Sequence, residues 1–324
     1  MTRAIGLLSG GLDSMLAARL LVDQSIEVLG LAFVTPFFGP DKARKAAEQL
    51  FIPLQVLDIT AAHWAMLKNP RHGYGKHLNP CIDCHALMLQ EAGKLLPRLD
   101  SEFLFTGEVL GQRPFSQTKP SLRAVEKTSG YGDLILRPLS ARLLPETRPE
   151  REGLVNRSRL LDISGRSRKR QIALAAAYGL KDYPNPAGGC LLTDPLFSRR
   201  LRELWEHSAD PEMREVELLK VGRHFRLNSR CKVVIGRNQK ENDAIEGRAG
   251  AQDGQARTLG YPGPVALLLG HPERADWEQA ARLTAAYSDG PDGRLLTVQW
   301  THGERAWNIQ VPKLPKETFK PWIL

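Results

Sequence analysis

Ile5-Gly6-Leu7-Leu8-Ser9-Gly10-Gly11-Leu12-Asp13-Ser14 reads as a strand, a turn and the start of a helix. The apolar run from Ala4 to Leu8 predicts a buried strand. Ser9-Gly10-Gly11 interrupts it, and Leu12 to Leu21 predicts a helix. Adjacent glycines allow a turn whose N–H groups point inward, because neither carries a Cβ. Those donors sit at a helix N-terminus, where unsatisfied amides and the macrodipole favour an anion. Ser9 and Ser14 add hydroxyls, and Asp13 can hold Mg²⁺ or cap the helix. Ser9, Gly10, Gly11, Leu12, Asp13 and Ser14 are therefore candidate ligands of a phosphate chain. The Lys-Ser/Thr pair of a Walker loop and the G-x-G-x-x-G of a dinucleotide fold are both absent from this stretch.

The next segments extend the pattern. Ile26 to Val34 predicts a second buried strand, Asp41 to Leu50 a helix with Ala43, Ala46, Ala47 and Leu50 on one face, and Leu54 to Ile59 a third strand. The β-α-β-α-β order predicts an α/β fold, a doubly wound parallel sheet with helices on both faces. Ligands of such sheets bind beyond the C-terminal strand ends. Phe33, near the end of the second strand, is thus a candidate to line an adenine pocket through its backbone.

Further on, strands are expected at 102–106 and 134–136, and helices from Cys81 to about Leu96, at 146–154 and at 172–178. The segment Pro184 to Cys190 reads as a turn-rich loop. After about Thr193 the character changes to a charged helix at 199–207, then short strands at 224–227, 232–236 and 265–269. Helices at 239–245 and 277–287 and strands at 295–300 and 306–311 complete it. This predicts two domains, 1–195 and a smaller α+β domain, 196–324.

With 324 residues the chain can bury two cores. It has no apolar run of membrane-spanning length and no basic-then-apolar leader, which predicts a cytoplasmic protein without a membrane partner. A net charge of +9 favours an acidic partner, with nucleic acid first. Arg166, Arg168, Lys169 and Arg170, before a helix, can meet several phosphates. The competing readings are a solvated face and a grip on ATP phosphates.

Four cysteines in a chain of this length point to metal or redox chemistry rather than a disulfide scaffold. Cys81-Ile-Asp-Cys84 opens a helix, a position expected to lower thiol pKa. Cys190 follows a Gly-Gly pair that lets backbone approach a bulky group. Three thiolates can hold three irons of a [4Fe–4S] cluster and leave the fourth open. Alternatively Cys81 or Cys84 carries a persulfide that Cys190 resolves. A zinc site would take His85 or His77 as its fourth ligand. Cys231 lies in a strand and reads as core.

The S-G-G-x-D-S loop after a first strand resembles the pyrophosphate-binding loop of ATP pyrophosphatases. That resemblance implies a PP-loop, HUP-like sheet and cleavage of ATP to AMP and pyrophosphate. With C-x-x-C beyond the third strand and a cysteine about a hundred residues on, the chain resembles iron–sulfur-dependent tRNA thiolation enzymes. Gly107-Glu-Val-Leu-Gly-Gln112 with Ser116-Gln117 resembles a stretch of tRNA 4-thiouridine synthetases, with one extra residue between its halves. The resemblance implies that Gly107 and Gln117 line the nucleotide site. Asn79-Pro-Cys81 also resembles tRNA 2-thiouridylases. Lys232-Val-Val-Ile-Gly-Arg-Asn238 with Glu241-Asn242 resembles an NFACT-R-type domain, which implies RNA binding by the C-terminal half.

The function these resemblances imply is ATP-dependent thiolation of a tRNA uridine through an adenylated uracil. Its cofactors are ATP, Mg²⁺ and a [4Fe–4S] cluster, and its partners are tRNA and a sulfur donor, either sulfide or a cysteine desulfurase. The implied catalytic residues are Asp13, Cys81 and Cys190, and the cluster ligands are Cys81, Cys84 and Cys190. The alternatives are cluster-free persulfide chemistry, a small molecule as substrate, or an RNA-binding protein with a non-catalytic PP-loop domain.

Overall fold

The computed structural model describes residues 2–184 and 189–324. Residues 185–188, within the expected turn-rich loop, lie outside the described residues. The chain divides into two compact units, 1–194 and 195–324.

The first unit runs β1 (Arg3–Leu7), α1 (Leu12–Val22), β2 (Glu27–Val34), α2 (Asp41–Leu50), β3 (Leu54–Asp58), α3 (Thr60–Lys68), α4 (Cys81–Gly93), β4 (Phe103–Thr106), α5 (Lys119–Ser129), β5 (Ile135–Leu136), α6 (Arg148–Arg151) and α7 (Lys169–Ala177). Its strands form one sheet in the order β3-β2-β1-β4-β5. Every pairing is parallel. This is the expected α/β sheet.

Period-two alternation along β1 makes that sheet two-sided. Ala4 packs with Leu12, Met15 and Leu16 of α1 in one core. Its neighbour Ile5 joins Leu31, Phe33, Leu89 and Leu104 in a second core on the opposite face. Gly6 lies between them because a Cβ there would meet the Phe105 ring at 2.1 Å. In α2 the buried residues are Ala43, Ala46, Ala47 and Leu50, as the helical spacing requires.

The sequence reading missed α3 and α5. In α3 only His63 and Leu67 are buried, so no apolar stripe marks it. In α5 Leu122, Val125 and Ser129 share one buried face, and caps mark both ends. The Thr118 side chain accepts from Ser121 N–H, and Gly130 closes the helix at φ 79°.

The second unit contains α8 (Pro195–His207), α9 (Met213–Leu218), β6 (Arg223–Arg226), β7 (Cys231–Ile235), α10 (Gln239–Glu246), β8 (Gly254–Thr258), β9 (Ala266–Gly270), α11 (Arg274–Ala286), β10 (Leu295–His302) and β11 (Arg305–Pro312). Its six-stranded sheet has the order β11-β10-β8-β9-β7-β6. All of its pairings are antiparallel. Val233 faces a core with Ala280, Leu283 and Trp300, while Val234 faces one with Leu218, Ile245 and Leu267. Cys231 is fully buried in the first of these, as expected. The strand β8, Gly-Gln-Ala-Arg-Thr, was missed because it carries almost no strand-type side chains. Among the described residues no helix is long and apolar enough to cross a membrane.

Candidate active site

The crevice of this sheet lies where β1 stands between β2 and β4, since the connections after β1 and β4 leave in opposite directions. Both connections are glycine-bearing, and they meet. After β1, Gly10 adopts φ +74°, and a Cβ on it would stand 2.3 Å from the Lys42 backbone. Only glycine makes that turn without strain. Gly11 is the N-cap of α1 and no side chain caps it, so the first-turn amides are available to an anion. Ser14 Oγ donates to the Gly11 carbonyl at 2.8 Å, Gly11 N–H donates to Ser9 Oγ at 3.3 Å, and the two hydroxyls stand 3.3 Å apart. Leu12 is fully buried and anchors the loop.

After β4, Gly107 lies directly on this helix start. A Cβ on Gly107 would be 2.4 Å from Ser14 N and 2.6 Å from the Asp13 carbonyl carbon. Asp13 Oδ2 accepts from Gln112 Nε2 at 2.7 Å, and Asp13 Oδ1 is buried without a partner among the described residues. An orphaned carboxylate oxygen beside a phosphate-type cradle suits a hard cation such as Mg²⁺. Gln117 is buried, and its backbone closes the same connection by accepting from Gly111 N–H at 2.7 Å. Its side-chain Oε1 is buried and lacks a partner among the described residues. Phe33 is 6% exposed and its ring belongs to the core, so only its backbone can line a pocket.

The cysteine helix is tied to the same edge. In α4, His85 Nδ1 lies 2.7 Å from Glu108 Oε1, next to Gly107. Glu108 also accepts from Arg137 Nε at 3.0 Å and from Thr106 Oγ1 at 3.2 Å. Burial alone would raise the Glu108 carboxyl. The Arg137 guanidinium and His85 outweigh it and hold the pKa at about 2. His85, a zinc candidate in the sequence, therefore has Nδ1 committed to Glu108.

Asn79 Nδ2 donates to Cys81 Sγ at 3.2 Å, and Asp83 accepts from His72 N–H at 2.9 Å. Leu191 N–H donates to the Phe37 carbonyl at 3.1 Å, which fastens the chain next to Cys190 to the connection after β2. The three thiols share one neighbourhood. The Cys84 thiol is pushed well up by burial and by the charges of Cys190, Cys81 and Asp83. Burial pushes Cys190 up to about 12, against the opposing effect of the Leu192 backbone N–H and with a lesser upward push from Cys81.

This overturns the expectation of a lowered thiol pKa at Cys84. Cys84 is half-buried as a residue, but its sulfur is desolvated, and that outweighs the dipole. The donors fit an iron–sulfur cluster in kind, because a thiolate there requires a strong cation. Their spacing does not form a closed ligand set. Among the described residues no three of His, Cys, Asp and Glu stand grouped as metal ligands.

The basic cluster splits. Arg170 Nη2 is paired with Asp162 Oδ1 at 2.6 Å, while Arg166 and Lys169 are exposed. Arg168 is half-buried and its Nε lacks a partner among the described residues. The residues the sequence reading missed are Gln112, Glu108, Arg137 and Gln171. Two of them lie inside the Gly107–Gln112 motif, which was the available signal.

Residues 1–142 match the family model of the thiamine biosynthesis protein (ThiI), and residues 222–323 match that of the NFACT protein RNA binding domain. A probable tRNA sulfurtransferase of Bacillus licheniformis is 28% identical over 146 residues, 42% of this chain and 34% of that protein. The tRNA-specific 2-thiouridylase MnmA of Deinococcus radiodurans is 27% identical over 125 residues, 32% of each chain. The chain thus spans about a third of the length of the curated relatives it matches. Among solved structures, a 4-thiouridine synthetase–RNA complex with bound ATP overlaps 68% of this chain and 51% of that one, at 19% identity and a TM-score of 0.41.

Proposed function

We propose that the protein is an ATP-dependent tRNA sulfurtransferase of the cytosol, forming AMP and pyrophosphate as it thiolates a uridine. The observation that carries this reading is the convergence of an uncapped Gly-Gly helix start, a second glycine connection pressed onto it, and a cysteine helix bonded to that connection. The family matches support it on both sides, a ThiI-type N-terminal stretch and an RNA-binding-type C-terminal one.

In this reading the amides from Gly10 to Ser14 hold the phosphate chain. Asp13 holds Mg²⁺, and Gly107 and Gln117 border the nucleotide. Adenylation turns a uracil carbonyl oxygen into a leaving group, AMP, and the loop donors stabilise charge developing on pyrophosphate. Cys81, Cys84 and Cys190 are the proposed sulfur-handling set. A [4Fe–4S] cluster bound by them would supply an open iron for sulfide. Without iron, one thiol would carry a persulfide and another resolve it. Arg166, Arg168 and Lys169, with the 196–324 domain, are the proposed RNA contacts.

The test is anaerobic incubation of the full chain with ATP, Mg²⁺, sulfide and bulk tRNA. AMP is quantified and tRNA nucleosides are analysed by mass spectrometry. A thiouridine that appears only with ATP, and is lost with Asp13→Ala at unchanged folding, is the expected result. AMP formation without any RNA product would redirect the reading to a small-molecule substrate. The absence of AMP under every condition would leave an RNA-binding protein.

A further inference from the structure

We propose that Gln112 and Gln171 form a two-amide relay that sets the orientation of Asp13 in the phosphate loop. This rests on the nucleotide-binding reading above, and it assigns positioning residues to it. Asp13 lies in the first turn of α1, Gln112 in the connection after β4, and Gln171 in the first turn of α7. Three separate segments are therefore joined in one hydrogen-bonded chain that ends on the Asp13 carboxylate.

The polarity of the relay is fixed from one end. An ionised carboxylate only accepts, so the Gln112 amide must turn its NH₂ toward Asp13. That contact is 2.7 Å from Nε2 to Oδ2. The Gln112 carbonyl then faces away and accepts from Gln171 Nε2 at 2.9 Å. Gln171 is fully buried, and its own Oε1 has no partner among the described residues. A buried amide left half-satisfied costs stability. Its retained contact is the one that holds Gln112. The outcome at Asp13 is asymmetric: Oδ2 is held, and Oδ1 is buried without a partner among the described residues. A carboxylate locked in this way presents one fixed oxygen to a cation without having to reorganise.

Gln171→Glu is the sharpest perturbation, because it preserves shape and reverses the relay. An ionised carboxylate at 171 cannot donate, so Gln112 must flip its NH₂ toward it and turn its carbonyl on Asp13. Because burial favours the neutral acid, whose O–H can donate, Gln171→Met, which cannot donate in any state, is measured beside it. The measurement is calorimetric ATP binding by the full chain with and without Mg²⁺, together with melting temperature and the steady-state rate of AMP formation with tRNA.

The expected result is a loss of the Mg²⁺-dependent part of ATP affinity of about 10- to 100-fold, the range of one hydrogen bond to a charged group. Affinity without Mg²⁺ should stay within twofold of wild type. Asp13→Asn should show the same pattern. The double variant should be no worse than the worse single, because Gln171 acts through Asp13. Wild-type Mg²⁺ dependence in Gln171→Met overturns the relay alone, as do additive losses in the double variant. A loss of affinity equal with and without Mg²⁺ marks a merely structural role and also overturns it. If the wild type binds no ATP at all, the relay and the nucleotide-binding reading fall together.

Discussion

Arg137→Met removes the cation that makes a buried glutamate tolerable. Arg137 and Glu108 are 3% and 4% exposed, and Arg137 bridges Glu108 and Glu126. Taking away the guanidinium leaves Glu108 with His85 and the Thr106 hydroxyl. Breaking a buried ion pair from one side costs about 3–5 kcal/mol. Linkage gives a figure of the same order for Arg137 and His85 acting together against burial. The Glu108 pKa is held at about 2 against an ordinary 4.5, which corresponds to about 3 kcal/mol of stability.

The sign follows from the depressed pKa. The contribution is complete above pH 4.5 and is lost as pH falls from 4.5 through 2. The wild-type and Arg137→Met stabilities should therefore differ most near neutral pH and converge toward pH 2. The assay is denaturant unfolding of both proteins at several pH values, with Glu108→Gln/Arg137→Met as the uncharged control. On a unit of this size the neutral-pH cost corresponds to a fall in melting temperature of roughly 10 °C. A cost below about 1 kcal/mol that does not vary with pH would refute the reasoning, since Glu108 would then not depend on Arg137.

Gly10→Ala should reduce ATP affinity at least tenfold and lower the melting temperature, because φ +74° and the Lys42 backbone at 2.3 Å both exclude a side chain; unchanged binding by calorimetry would count against the loop assignment. His63 is buried between Phe37 and Phe38 and burial lowers its pKa to about 4, so its share of stability is present above pH 6.5 and lost as pH falls toward 4. His63→Leu should accordingly be relatively more stable at pH 5 than at pH 8, and an identical pH profile would contradict this. Replacing Arg166, Arg168 and Lys169 by Ala should flatten the salt dependence of tRNA binding, whereas Arg170→Ala should change it less because Asp162 already holds that side chain; equal slopes for wild type and triple variant would remove the cluster from the interface. Anaerobic reconstitution separates the two sulfur routes: a cluster assembled on the three cysteines would give about four irons per chain. That iron should be lost with Cys81→Ala, Cys84→Ala or Cys190→Ala and kept with Cys231→Ala, and an iron-free reconstitution would favour the persulfide route.

The parallel sheet, its order of elements and the Gly-Gly loop after β1 follow from local patterns in the sequence. Continuous apolar runs, alanines at helical spacing in α2, and a Gly-Gly break before a helix each express a property of neighbouring residues. Helix α3 stayed hidden because it buries only His63 and Leu67 and carries no stripe of its own, whereas α5 has a local signal, a buried face of Leu122, Val125 and Ser129, that is short and flanked by Pro and Gly. The protonation of the cysteines was also not local. A C-x-x-C at a helix start promises low thiol pKa values, but Cys190, about a hundred residues away, and the surrounding desolvation reverse the sign at Cys84. Arg170 looked free until Asp162 folded beside it. Likewise, the sequence placed Asp13 in the loop. Gln112, 99 residues away, and Gln171, 59 beyond that, are brought to its carboxylate only by the crossing of β4 and α7 onto α1. Motifs record which groups a site contains. Their charge state and orientation depend on burial and on partners that the tertiary structure alone brings into contact.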